Sequence, residues 1–324
     1  MYTIYGSEQS FFTRKLEAAF LFYGMPHRLV RKRGAENEEE IKLRSGTHQV
    51  PVLHTPENWM IADTTPILSL LDGRQGRTNL FPQGLAGLLV HVVEECLDEW
   101  ISRVMVHYRW TYPENAEFAS LQISGGREDI AEAVRKWGPK ACRATGTGSP
   151  ELGREAEVEY EQLLDAADTQ LAQSEFLMGG QPTAVDCAIL GGLRAHILND
   201  PAQQEMARKY ERLMAWEAAT RSGWSGKGAG ISFAQPTRFA QEVLSAPWAE
   251  YARVVMGNRQ ALLAGEKAFG LKTYGHAASY LTRPYPEKSR QMIVDRIQSL
   301  LPDEHVPAAR SWLSEVGLDQ VFEE

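Results

Sequence analysis

Residues 49–71 read QVPVLHTPENWMIADTTPILSLL, and this stretch decides the fold. Val50-Pro51-Val52-Leu53 reads as a strand led by proline, which a strand tolerates at its first residue but not in its middle. Thr55 to Asn58 is a turn, and Trp59-Met60-Ile61 is a second short strand. A turn this short makes the two strands antiparallel. Asp63-Thr64-Thr65-Pro66 then opens a helix to about Leu71, because a capping residue followed by proline in the first turn is helix-start chemistry. Toward the N-terminus, Tyr2 to Tyr5 is a strand ended by Gly6. Phe11, Leu16, Phe20 and Tyr23 then fall near helical spacing over 11–23, with Ser10 as a plausible N-cap and Gly24 as a stop. His27 to Val30 is a second strand and 36–43 a short acidic helix. The order over residues 1–75 is therefore βαβαββα. The helix between the first two strands makes them parallel.

Beyond this unit, residues 73–83 (GRQGRTNLFPQ) are polar and Gly-rich and read as a linker. Strand patterns stop there. Residues 84–110, 127–137, 151–174, 184–199 and 201–220 all read as helices. Strands followed by runs of helices indicate separate domains. The expected organisation is an α/β domain over 1–75, an all-α domain over 84–222, and an extension over 223–324 packed on the helical domain. The extension starts in a Gly/Ser break at 222–236 and resumes helical patterns at 238–266 and 286–300. Its segment 269–285 is rich in Gly and aromatics, suited to a hairpin or a cover.

A net charge of -8 argues against nucleic acid or an anionic membrane as the main partner, since both select basic patches. Three separated cysteines, Cys96, Cys142 and Cys187, form neither a disulfide framework nor a zinc site. The N-terminal sequence lacks the order of a signal peptide, and no apolar run is long enough to span a bilayer. The expectation is a cytoplasmic protein without a membrane or metal partner.

Four motifs in order carry a resemblance. Ser10-Phe11-Phe12-Thr13-Arg14-Lys15 resembles the first-helix motif of glutathione transferases. Gln49-Val50-Pro51-Val52-Leu53 is similar to their cis-proline motif, and Asp63-Thr64-Thr65-Pro66-Ile67 to their Glu/Asp-Ser/Thr-x-x-Ile motif. Phe176 to Asp186 resembles the capping box before their central helix, with Thr183 as cap and Asp186 returning the bond. The likeness covers about residues 1–220. It implies a thioredoxin-like N-terminal domain with an all-α C-terminal domain, a two-fold homodimer, and glutathione as co-substrate. Ser10 would then donate a hydrogen bond to the ligand's sulfur, where a helix N-terminus favours thiolate over thiol. Thr64 offers a hydroxyl and a helix-terminal N–H to a carboxylate, and Asp63 an opposite charge to the γ-glutamyl ammonium. Val50, before a cis proline, exposes backbone groups to the cysteinyl part, with Gln49 as a further donor. Phe11 and the end of helix 84–110 would wall a pocket for a small-molecule electrophile. There Trp100, Arg103 and His107 share one face at i, i+3, i+7.

Each motif has a plainer reading. Ser10 and Asp63-Thr64 serve as helix caps in most proteins, and Pro51 alone is more often trans. Thr13 is an alternative hydroxyl. Trp100, Arg103 and His107 equally suit packing between domains. His91, Glu94, Glu95, Asp98 and Glu99 suit a solvated acidic face or a subunit interface better than a metal site. Phe11 stands where proline often follows the family's serine or cysteine. That leaves a binding or scaffold protein without turnover as the second reading.

Overall fold

The computed structural model describes residues 1–75 and 79–323. Strand β1 (Tyr2–Gly6), helix α1 (Phe11–Phe22), β2 (His27–Arg31), α2 (Glu38–Ser45), β3 (Val52–His54), β4 (Met60–Ala62) and α3 (Thr64–Gln75) follow in the expected order. The sheet runs β2-β1-β3-β4. β1 and β2 are parallel, in register Tyr2↔His27 to Gly6↔Arg31. β3 is antiparallel to both β1 and β4, with Val52 opposite Tyr5 and Ala62. Ile4, Leu53, Leu16, Phe20, Ile67 and Leu68 are fully buried where α1 and α3 cover one face.

A mostly helical remainder begins with α4 (Gly84–Glu95), which passes through a π-helical turn at Cys96–Ile101 into α5 (Ser102–Thr111). α6 (Pro113–Ser124), α7 (Glu128–Ala144), α8 (Pro150–Gln170) and α9 (Ala184–Gly192) follow, then α10 (Gln204–Lys209) and α11 (Glu211–Ala219). Sequence patterning misses α6, although Pro113 stands at its first turn and Gly125 ends it in the left-handed region. The capping box of α9 forms: Asp186 accepts from the Thr183 N–H at 2.8 Å and from the Leu177 N–H at 2.9 Å. Burial pushes the Asp186 carboxyl up to about 6 against the pull of these bonds. α9 packs on α1 through Gly191, where a Cβ would lie 2.7 Å from the Phe11 carbonyl oxygen. The linker expected over 73–83 falls partly outside the described residues. On either side of the gap, Asp72 holds the N–H groups of Leu80 and Phe81 at 2.8 Å each.

The Gly/Ser break is tied down rather than loose. Gly228 donates to Gly180 O at 3.1 Å, and Trp224 donates from Nε1 to Ala18 O at 3.0 Å. The extension then forms α12 (Arg238–Leu244), α13 (Ala246–Ala264), hairpin β5 (Ala268–Thr273)/β6 (His276–Leu281), α14 (Pro284–Asp295), α15 (Val306–Glu315) and α16 (Asp319–Phe322). Strand patterning thus resumes after residue 83. The β5–β6 turn has both central residues, Tyr274 and Gly275, at positive φ, the backbone that matches strand twist in a two-residue loop. α12, α13 and α14 pack on α4 and the π turn, so Gly87 through Glu95 are buried on every side.

Candidate functional site

Sheet register brings three distant segments to one edge. β1 ends where β3 begins, because Tyr5 faces Val52, and β4 ends there too, because Ala62 faces Val52. The loop Ser7–Ser10, Pro51 and Asp63-Thr64 leave the sheet side by side.

Ser10 is half-buried and caps α1: its Oγ accepts from the Thr13 N–H at 3.2 Å. A hydroxyl that accepts this bond retains its own proton to donate. Thr13 is fully buried, and its Oγ1 accepts from the Ser7 N–H at 3.3 Å. It packs under Gly6, where any Cβ would lie 2.4 Å from Thr13 Cγ2. Arg109 holds the loop from the helical side, donating to Gln9 O at 2.6 Å while pairing with buried Asp200 at 3.0 Å.

The Val50-Pro51 peptide bond is cis. Val50 is half-buried, and among the described residues neither its N–H nor its C=O has a hydrogen-bond partner. The loop before it is held from beneath by buried Lys32, whose Nζ donates to Thr47 O at 2.9 Å and Gln49 O at 2.6 Å. The Gln49 side chain faces solvent.

Asp63 has φ +79°, and Thr64 is the first residue of α3 and buried. Thr65 turns inward, donating from Oγ1 to Glu94 at 2.9 Å. Asp63 is not open. Lys288 of α14 stands 3.1 Å from its Oδ2. On α2, Arg44 pairs with Glu40 and Lys42 with Glu39.

The family model described as the glutathione S-transferase N-terminal domain matches residues 4–79. This first domain is glutathione-transferase-like. No curated protein matches the chain. Among solved structures, a glutathione S-transferase from Rhodospirillum rubrum F11 is 18% identical, with 75% of this chain and 99% of that one covered and a TM-score of 0.48. The β-etherase LigF from Sphingobium sp. SYK-6 is 15% identical over 67% and 93%, with a TM-score of 0.49. A glutathione S-transferase from Methylobacillus flagellatus KT, solved with glutathione bound, is 18% identical over 68% and 94%, with a TM-score of 0.45.

The acidic residues of α4 do not form a solvated face. Glu94, Glu95 and Asp98 are buried against the transferase-like domain and the extension. Lys15 of α1, wholly buried, pairs with both Glu94 and Asp98. Lys15 lies four residues past Phe11 and three before Ala18, on the buried stripe of α1. A lysine there is the signal that a buried anion must face it. Glu95 accepts from the Tyr251 hydroxyl at 2.7 Å, and Glu99 pairs with Arg283 at 3.5 Å.

Burial, and then the charge of Glu99, pushes the Glu95 carboxyl well above the usual range. The folded state therefore keeps a proton that the unfolded chain has released. Glu95 contributes its full stability below the unfolded value near 4, and loses it as pH rises through the folded value. His196, pushed down to about 4 by burial, acts with the opposite sign between about 4 and 6.5. A difference measurement separates the two. Glu95→Gln keeps the acceptor for Tyr251 and is expected to match the parent near pH 4, where folded and unfolded carboxyls both largely hold their proton. At pH 8 it is expected to be the more stable of the two, because the glutamine carries no proton to lose. Urea midpoints at the two pH values check this, and an equal effect at both would overturn it.

Trp100, Arg103 and His107 share a face, but that face meets α8 rather than a pocket. Trp100 Nε1 donates to Glu159 at 2.9 Å, and Arg103 donates to the other oxygen at 2.7 Å while stacking 3.6 Å from the Trp100 ring centre. Tyr274 of the hairpin completes the Glu159 cluster. His107 pairs with Glu157 at 2.8 Å. Phe11 is buried edge-on to Phe12, with Met105 nearby across Gly192. A cavity of about 240 Å³ adjoins the loop before Ser10, with polar walls from Ser7, Gln9, Arg31 and Gln122. The expected electrophile-pocket residues are not among its walls.

Proposed function

We propose that the chain is a glutathione-transferase-like enzyme that holds glutathione at the edge beside Pro51 and activates its thiolate for attack on a small-molecule electrophile. The observation that carries this is the convergence of Ser10, the unpaired Val50 backbone and Asp63-Thr64 on one edge of a transferase-like domain. The α1 N-terminus and the Ser10 O–H both favour negative charge on sulfur. Burial of Thr13 supports Ser10 over Thr13 as the donor. The Val50 N–H and C=O suit strand-like pairing with the cysteinyl part, and the α3 N-terminus suits the γ-glutamyl carboxylate. Glutathione supplies the nucleophilic sulfur, and no metal is needed for that step.

Equilibrium dialysis with glutathione, followed by pH titration of the thiolate absorbance, tests the reading. Bound thiol is expected to titrate at least about one unit below the free value near 8.5. Ser10→Ala is expected to raise the bound value by about one unit, leaving affinity unchanged at low pH where the bound thiol is protonated and weakening it at high pH where it is not, since a hydrogen bond to a charged group contributes roughly 1.5–3 kcal/mol. An unchanged titration would assign the activation to another group, and no binding would end the proposal.

A non-catalytic binding protein is the second reading. It is favoured by Lys288 on Asp63 and by the burial of Trp100, Arg103 and His107. That reading predicts glutathione binding with an unshifted thiol titration.

A further inference from the structure

Asp63, the acid assigned to the ligand's ammonium, already holds an ammonium of this chain. The Lys288 Nζ lies 3.1 Å from Asp63 Oδ2. The two partners are unequal: the Asp63 side chain is 6% exposed and that of Lys288 58%. The carboxylate is enclosed and fixed, while the ammonium sits at the rim with solvent behind it. Tyr285, one turn earlier on α14, lies against the same carboxylate. Burial, and then the charge of Asp63, pushes its phenol up. Lys288 Nζ also lies 5.7 Å from the Tyr285 ring centre. Arg283 anchors the start of this helix on Glu99. Three side chains thus set the first turn of α14 over the start of α3.

We propose that Lys288 is a specificity-determining residue of the glutathione site: it fills the ammonium subsite of the empty protein, and only a thiol bearing its own ammonium displaces it. The inference rests on the glutathione reading above. The enclosed carboxylate has room for one ammonium at a time, so the ligand's cation must replace the lysine's. The resident cation is cheap to move, because an ion pair open to solvent on one side stabilises little. A γ-glutamyl amine makes the exchange, and Lys288 turns out to solvent. A thiol without that amine leaves Lys288 in place and gains nothing at Asp63.

Calorimetric titration of the full chain and of Lys288→Met, with glutathione and with its desamino analogue, tests this. Lys288→Met is expected to bind glutathione about two- to fivefold more tightly, the range of a half-exposed ion pair. Its preference for glutathione over the desamino analogue is expected to widen by at least the same factor. Lys288→Arg, which keeps the charge, is expected to retain the parent's preference. Glutathione bound equally well or less well by Lys288→Met overturns the assignment of Lys288 and leaves the glutathione reading standing. Glutathione bound by neither protein overturns both.

Discussion

Lys15→Met is expected to cost about 3–5 kcal/mol of folding stability, the loss typical when one partner of a buried ion pair is removed. Lys15 and Glu94 are fully buried and Asp98 nearly so, and the lysine bridges both carboxylates. Burial pulls the Lys15 ammonium toward neutrality, but the adjacent charges of Asp98 and Glu94 outweigh it and hold the pKa above its ordinary value. Glu94 Oε2 and Asp98 Oδ1 have no hydrogen-bond partner among the described residues. Without the lysine, Glu94 keeps only the Thr65 hydroxyl and Asp98 keeps nothing. A chemical-denaturation midpoint reads the cost. Lys15→Met combined with Glu94→Gln and Asp98→Asn is expected to recover much of it, because the stranded charges are gone. A loss below about 1 kcal/mol for the single variant would show that water reaches the cluster and that the three groups are not sealed. The same cluster binds α1, which carries Ser10 at its start, to α4. The single variant is therefore also expected to loosen the edge where glutathione is proposed to bind.

The first domain was legible because its information is local. Proline ahead of β3, the cap and proline at the start of α3, and the helix between β1 and β2 each act within a few residues. Register then forces Ser10, Pro51 and Asp63 to one edge, so these candidates could be placed without long-range contacts. What failed was long-range. Trp100, Arg103 and His107 do share a helix face, as their spacing requires, but spacing cannot say what that face meets. It meets Glu157 and Glu159 of α8. The acidic run at the end of α4 reads from sequence as a solvated face or a subunit interface because its counter-charges, Lys15 and Arg283, lie far away in sequence. Lys15 on the apolar stripe of α1 is the one local mark that a buried anion faces it. Lys288 carried no such mark: it is an exposed lysine on a polar helix surface, and only the packing of α14 brings it to Asp63.

Ending the chain after Gln235 is expected to abolish cooperative folding of the whole. The extension is the second wall of α4. Trp248 is 1% exposed and donates to Val92 O at 2.9 Å, and Phe239, Tyr251, Ile293 and Val294 are buried with it. Truncation would bare a continuous apolar surface along α12's and α13's footprint, well beyond the patches soluble monomers carry. Trp248→Ala alone is expected to cost about 3–5 kcal/mol, a large share of ordinary domain stability. The residue 1–235 fragment is expected to self-associate, bind a hydrophobic dye and melt without a sharp transition. A cooperative melt within a few degrees of the full chain would show that the extension is an accessory cover. The charged groups point the other way, which makes the test discriminating. Truncation would return Glu95 and Glu99 to water and remove the penalty that raises their pKa values. If burial of charge dominated this interface, the fragment would gain stability above pH 7. The apolar area is expected to win, because nothing replaces the lost packing, whereas Tyr251 and Arg283 already offset part of the burial cost of the two carboxylates in the full chain.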